Sequence, residues 1–204
     1  MGKKERVIAY IDGFNLYFGI KDKFPQAKWL NIWSLVDNLT KDHQELIAVK
    51  YFTSRVAHNP PKEKRQRDYL SVLETTPLEI IYGHYKSRPI TCKRCGHSWA
   101  NNEEKMTDVN IAVQMLSDAM SDSYDTAMLI SGDSDLVPPI NNIHSNFTDK
   151  RVMVVFPPAR HNNSVKNAAK GSLIIGRGTL LKSQFPVTVT LPNDYKISKP
   201  EEWL

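Results

Sequence analysis

Short apolar runs alternate along this chain with longer amphipathic stretches, and this alternation limits the fold more than any other feature. Runs so short fit strands buried on both faces, and the stretches between them are long enough to be crossover helices. Strands are expected at Val7 to Ile11, Leu46 to Phe52, Leu78 to Tyr85, Thr126 to Ile130, Val152 to Phe156 and Leu173 to Ile175. Asn59-Pro60-Pro61 reads as an N-cap with prolines in the first turn, where no N–H is needed, followed by a helix to Glu74 that turns Tyr69, Leu70 and Leu73 inward. Further helices are expected from Thr107 to about Met120, and after Asp135 with Pro138 and Pro139 in the first turn. The fold class is therefore α/β, a mostly parallel central sheet flanked by helices. At 204 residues one domain is the simplest division. Residues 1–182 form that domain, with an insertion at about 87–102 that carries few apolar residues. The tail, 183–204, has prolines but no helical period and is expected to wrap the surface as extended chain.

Strands of a parallel sheet deliver the residues past their carboxyl ends to one rim. Two of the expected strands end in acid, the first at Asp12-Gly13-Phe14-Asn15 and the second, through Ser131, at Gly132-Asp133-Ser134-Asp135. If these strands are neighbours, Asp12, Asp133 and Asp135 meet in one cleft. A fourth acid, Asp108, lies at helical spacing with Ile111, Ala112, Met115, Leu116 and Ala119, so it faces inward. An inward carboxylate is costly unless it is paired, hydrogen-bonded or bound to a cation. Gathered carboxylates repel one another, and a hard cation such as Mg²⁺ or Mn²⁺ relieves that repulsion. A cation held there can activate water and offset charge on a phosphate oxygen, the chemistry of phosphodiester hydrolysis. The blander readings are an Asp12 turn, an Asp135 helix cap and an Asp108 that complements a helix N-terminus. Asn15 suits either the orientation of a water or phosphate or a simple helix cap.

The composition, 41% hydrophobic and 24% charged, excludes wholesale disorder, and no apolar run is long enough for a membrane helix. The first residues run into a strand-like segment rather than a signal-peptide core, so a cytoplasmic location and no membrane partner are expected. A net charge of +5 favours a polyanionic partner. Basic residues crowd at Lys62, Lys64, Arg65 and Arg67, and again at Lys86, Arg88, Lys93 and Arg94. The second group, with Trp99, suits a single-stranded polynucleotide, with phosphates on the cations and a base on the ring. The same insertion holds both cysteines in Cys92-Lys93-Arg94-Cys95-Gly96-His97, half of a zinc knuckle. Structural Zn²⁺ needs four ligands, and His97 and His84 are the nearby candidates. A Cys2His2 site, a site shared between copies in a homo-oligomer, and two reduced thiols remain open.

The segments Tyr-Ile-Asp-Gly-Phe-Asn-Leu-Tyr (10–17), Lys-Met-Thr-Asp-Val-Asn-Ile-Ala-Val (105–113) and Leu-Ile-Ser-Gly-Asp-Ser-Asp-Leu-Val-Pro (129–138) together resemble the NYN family of PIN-like domains, also called LabA-like. The resemblance implies a Rossmann-like PIN fold, an acidic metal site and cleavage of RNA with Mg²⁺ or Mn²⁺. It places the family's acidic positions on Asp12, Asp108, Asp133 and Asp135, with Asn15 and Ser131 as polar companions. One position departs: Gln114 stands where many relatives carry another acid. The leading expectation is a metal-dependent ribonuclease with RNA as its partner. The alternative, to which Gln114 points, is a non-catalytic RNA-binding or regulatory module. A phosphatase of small phosphoesters shares the metal logic but would lack a Gly-rich phosphate loop.

Overall fold

The computed structural model describes residues 3–203 except 58, with the backbone alone over 85–89 and 99–105. Strands β1 (Glu5–Asp12), β2 (Gln44–Thr53) and β3 (Glu79–Tyr82) are followed by a hairpin of β4 (His84–Thr91) and β5 (Ser98–Lys105). Then come β6 (Thr126–Ile130), β7 (Arg151–Phe156), β8 (Gly171–Ile174) and a small hairpin of β9 (Thr188–Thr190) and β10 (Lys196–Ser198). The helices are α1 (Gly13–Lys23), α2 (Ile32–Leu39), α3 (Pro60–Leu73), α4 (Thr107–Met120), α5 (Val137–Asn146), α6 (Asn163–Ala168) and α7 (Arg177–Lys182). Six strands form one sheet in the order β3-β2-β1-β6-β7-β8, every pair parallel.

A central parallel strand must be apolar on both faces, and β1 is buried from Val7 to Asp12. Its pleat splits the core. Val7, Ala9 and Ile11 join one apolar cluster, with residues of α1, α2 and α3; Ile8 and Tyr10 join the other, with residues of α4 and α5. Asp12 continues the parity of Tyr10, toward the layer that holds α4. The chain runs outward from β1 to β3, then returns with β6 on the opposite edge of β1. The crevice at such a reversal of strand order is where open α/β sheets bind ligands.

The structure refines three readings. The run from Leu78 to Tyr85 is not one strand: the Gly83 N–H continues the ladder to the Thr53 carbonyl at 2.8 Å, and beyond it the chain leaves the sheet as β4. The polar insertion is an antiparallel hairpin, paired from His84↔Lys105 to Thr91↔Ser98. The tail is more than extended chain. Besides the β9–β10 hairpin, it buries Phe185 and Trp203, whose rings lie 6.0 and 6.1 Å from that of Trp29, while the Trp29 indole N–H donates to the Pro186 carbonyl at 2.8 Å. Among the described residues no helix is long and apolar enough to cross a membrane.

Candidate metal centre

Because β1 and β6 pair in register, Ile11 opposite Ile130, the loops that follow them leave the sheet side by side. Asp12 caps α1, its Oδ1 accepting the Asn15 N–H at 3.0 Å. Its Oδ2 accepts the Ser131 hydroxyl at 2.9 Å, and the Ser131 oxygen accepts the Asp133 N–H at 3.1 Å. Asn15 closes the brace, with Oδ1 taking the Gly132 N–H at 3.0 Å. The second loop can approach this closely only without a side chain at 132, since a Cβ there would lie 1.8 Å from the Arg160 carbonyl oxygen. Gly13 is under the same constraint, 2.7 Å from the Phe52 carbonyl oxygen and the Tyr51 ring.

Asp108 arrives from the other direction, in the first turn of α4, whose buried Ile111, Met115 and Ala119 hold the helix on the sheet. The preceding Met106 takes a left-handed backbone (φ 79°) to turn the chain out of the hairpin and into that helix. The result is that carboxylate oxygens of Asp12, Asp108 and Asp133 all lie within 4.8 Å of one another. Asp135 stays outside this group and exposed, its N–H donating to Asp133 Oδ1 at 2.9 Å.

The electrostatics carry the strain of that gathering. Burial, then the charges of Asp12, Asp133 and Asp135, pushes the Asp108 carboxyl up to about 6. Burial likewise raises Asp12, against the pull of the Asn15 and Ser131 hydrogen bonds and with a further push from Asp133. Three carboxylates with oxygens within 4.8 Å of one another, two of them raised by burial and mutual repulsion, fit a hard divalent cation by geometry and donor chemistry alike.

Other expected site residues are placed differently. Ser131 is fully buried, and its hydrogen bonds brace Asp12 against Asp133. Gln114 donates to Asp118 Oδ1 at 3.1 Å. That carboxylate also takes Tyr10 Oη at 2.6 Å and Lys50 Nζ at 2.7 Å, a buried network absent from the sequence reading. Its signal was present: Asp118 adjoins Ala119 on the buried side of α4.

Cys92 and Cys95 sit in the tight turn of the β4–β5 hairpin, with the Gly96 N–H donating to the Cys92 carbonyl at 2.9 Å and Gly96 at φ 69°. Backbone N–H groups of Arg94 and Cys95, with the Cys95 side chain, pull the Cys92 thiol below its usual range. His84 cannot share an ion with this pair in the same chain. It pairs with Lys105 at the far end of the eight-residue strand, roughly 25 Å away at ~3.3 Å per residue. His97 follows the turn, its carbonyl accepting the Cys92 N–H at 2.8 Å. Lys93 and Arg94 are exposed at the tip, a strand's length from the hairpin end that feeds Asp108. The side chains of Lys86, Arg88 and Trp99 lie outside the described residues.

A parallel α/β sheet with a carboxylate trio in the crevice beside its central strand defines the class. The family model of the NYN domain matches residues 6–176, and the chain belongs to that family of PIN-like nuclease domains. The chain is 27% identical, over 97% of its length and 75% of the relative's, to 6-hydroxy-3-succinoylpyridine 3-monooxygenase HspA of Pseudomonas putida. A similar fold occurs in VPA0982, a protein of unknown function from Vibrio parahaemolyticus, with a TM-score of 0.58 at 20% identity, covering 87% of this chain and 96% of that one.

Proposed function

We propose that the protein is a metal-dependent ribonuclease that hydrolyses RNA phosphodiester bonds at the carboxylate crevice. One observation carries the reading: the oxygens of Asp12, Asp108 and Asp133 converge within 4.8 Å at the point where the strand order reverses. Mg²⁺ or Mn²⁺ bound there would supply a water of lowered pKa and neutralise charge on the phosphate. The protein's own part is placement. Asp12, Asp108 and Asp133 would be the ligands, and Ser131 and Asn15 hold the first and third in register, as groups behind metal ligands do. Asp135, exposed and bonded through its N–H to Asp133, would serve as a further ligand or as a group behind the ligands. The monooxygenase named above is a relative whose pyridine chemistry is its own; a set of three carboxylates suits hard-cation hydrolysis better.

The test is cleavage of labelled single-stranded and structured RNAs with Mn²⁺ or Mg²⁺. Cleavage that stops with EDTA and with Asp133→Asn supports the reading. Intact RNA throughout, or an Asp133→Asn protein as active as the wild type, removes it.

A further inference from the structure

On the opposite face of the same rim, a cavity of about 390 Å³ opens between α1 and α3, within the size range of sites for small organic ligands. It starts at Gly13, the residue after Asp12, with the Tyr51 ring packed against that glycine. Aromatic rings of α1 supply an apolar wall: Phe14 and Phe18 stack at 6.3 Å, and Tyr17 meets Phe18 edge-on at 5.4 Å. Phe18 is 43% exposed beside the cavity, with Lys21 Nζ 5.7 Å from its ring centroid.

The polar lining is lopsided, with Lys21, Lys28, Lys62 and Arg65 against the single acid Glu202. Burial, then the charges of Arg65 and Lys21, pulls the Lys28 ammonium below its usual range. Glu202 already lies on Arg65 at 2.8 Å, and its carbonyl takes Lys28 Nζ at 3.1 Å. A carboxylate thus holds one guanidinium N–H of Arg65 that a phosphate would use.

We propose that this cavity is a nucleotide subsite for single-stranded RNA running into the carboxylate crevice, with a base against Phe14 and Phe18, phosphates on Lys62 and Arg65, and Glu202 displaced on binding. Cations beside exposed aromatic rings are the two components of single-strand recognition, and a duplex keeps its bases stacked out of reach of such a wall. The hairpin cations Lys93 and Arg94, a strand's length from the crevice end of their hairpin, are not part of this subsite. The choice of RNA over another aromatic anion rests on the ribonuclease reading.

The experiment measures anisotropy of a labelled single-stranded oligoribonucleotide on the full chain in EDTA, where cleavage cannot intervene. Phe18→Ala is expected to weaken binding roughly five- to a hundredfold. Lys62→Ala lowers the slope of log K against log salt by about 0.7, and Glu202→Gln tightens binding. Phe18 and Lys62 are exposed, so both variants are expected to keep the wild-type melting temperature. Unchanged affinity in Phe18→Ala and Lys62→Ala, or displacement of the strand by a free aromatic carboxylate at similar concentration, overturns the subsite. RNA cleavage that persists beside unchanged binding leaves the ribonuclease reading standing. Binding that responds as expected without any Mn²⁺-dependent cleavage supports the subsite and removes the nuclease.

Discussion

Neutralising Asp108 should stabilise the metal-free protein. The Asp108 carboxyl rises from an ordinary aspartate value of about 3.9 to about 6, and two such units are worth about 3 kcal/mol. The group is half-buried, so solvent screening cuts this about twofold, to ~1.5 kcal/mol. The α4 dipole favours an acid in the first turn by ~0.3–1 kcal/mol and works the other way. Repulsion wins, leaving ~1 kcal/mol. Because the folded pKa lies above the unfolded one, the folded state holds more protons between pH ~4 and ~6, and stability falls as pH rises through that window. Asp108→Asn removes the loss. In EDTA at pH 7.5 its melting temperature should exceed the wild type's by about 2–4 °C, and the gain should vanish near pH 4. Saturating Mn²⁺ should close or reverse the difference, since only the wild type keeps the full ligand set. A variant less stable than wild type at every pH, or a gain indifferent to pH, would refute the repulsion argument.

Ser131→Ala removes a donor from buried Asp12 and should weaken Mn²⁺ binding by about ten- to a hundredfold by calorimetry, with little change in secondary structure; unchanged affinity would mean that Ser131 braces nothing. Gly132→Ala drives a methyl against the Arg160 carbonyl and should cost about 1–3 kcal/mol in denaturant titration as well as displacing Asp133, whereas a neutral result would show that the loop yields freely. Alkylation of Cys92 should titrate below the ~8.5 of an ordinary thiol, and Cys95→Ala should move it upward because Cys95 donates part of the effect. Titration at or above the ordinary value would contradict the turn geometry.

What was legible in the sequence was what neighbouring residues decide. The span of β6, the α4 helix and the Asn59 cap all follow from local periodicity and capping chemistry, and Asn59 Oδ1 accepts the Lys62 N–H at 3.2 Å as that reading requires. The crevice acids were legible because strand ends and an inward helical stripe mark them. Roles decided by distant partners were not. Ser131 and Asn15 were legible only as polar companions of the acids, because the atoms they brace, Asp12 and Gly132, lie more than a hundred residues away in sequence. The β4–β5 hairpin carries few apolar residues, so nothing in its pattern separated strand from loop. Trp203 docks against Trp29 and Tyr69 through long-range contacts that no local period encodes.

The most direct measurement of the central claim is anomalous diffraction from crystals soaked in Mn²⁺. A peak within coordination distance, ~2.0–2.3 Å, of Asp12, Asp108 and Asp133 carboxylate oxygens is the expected result. Strong Mn²⁺ density elsewhere with none between these three carboxylates would contradict it.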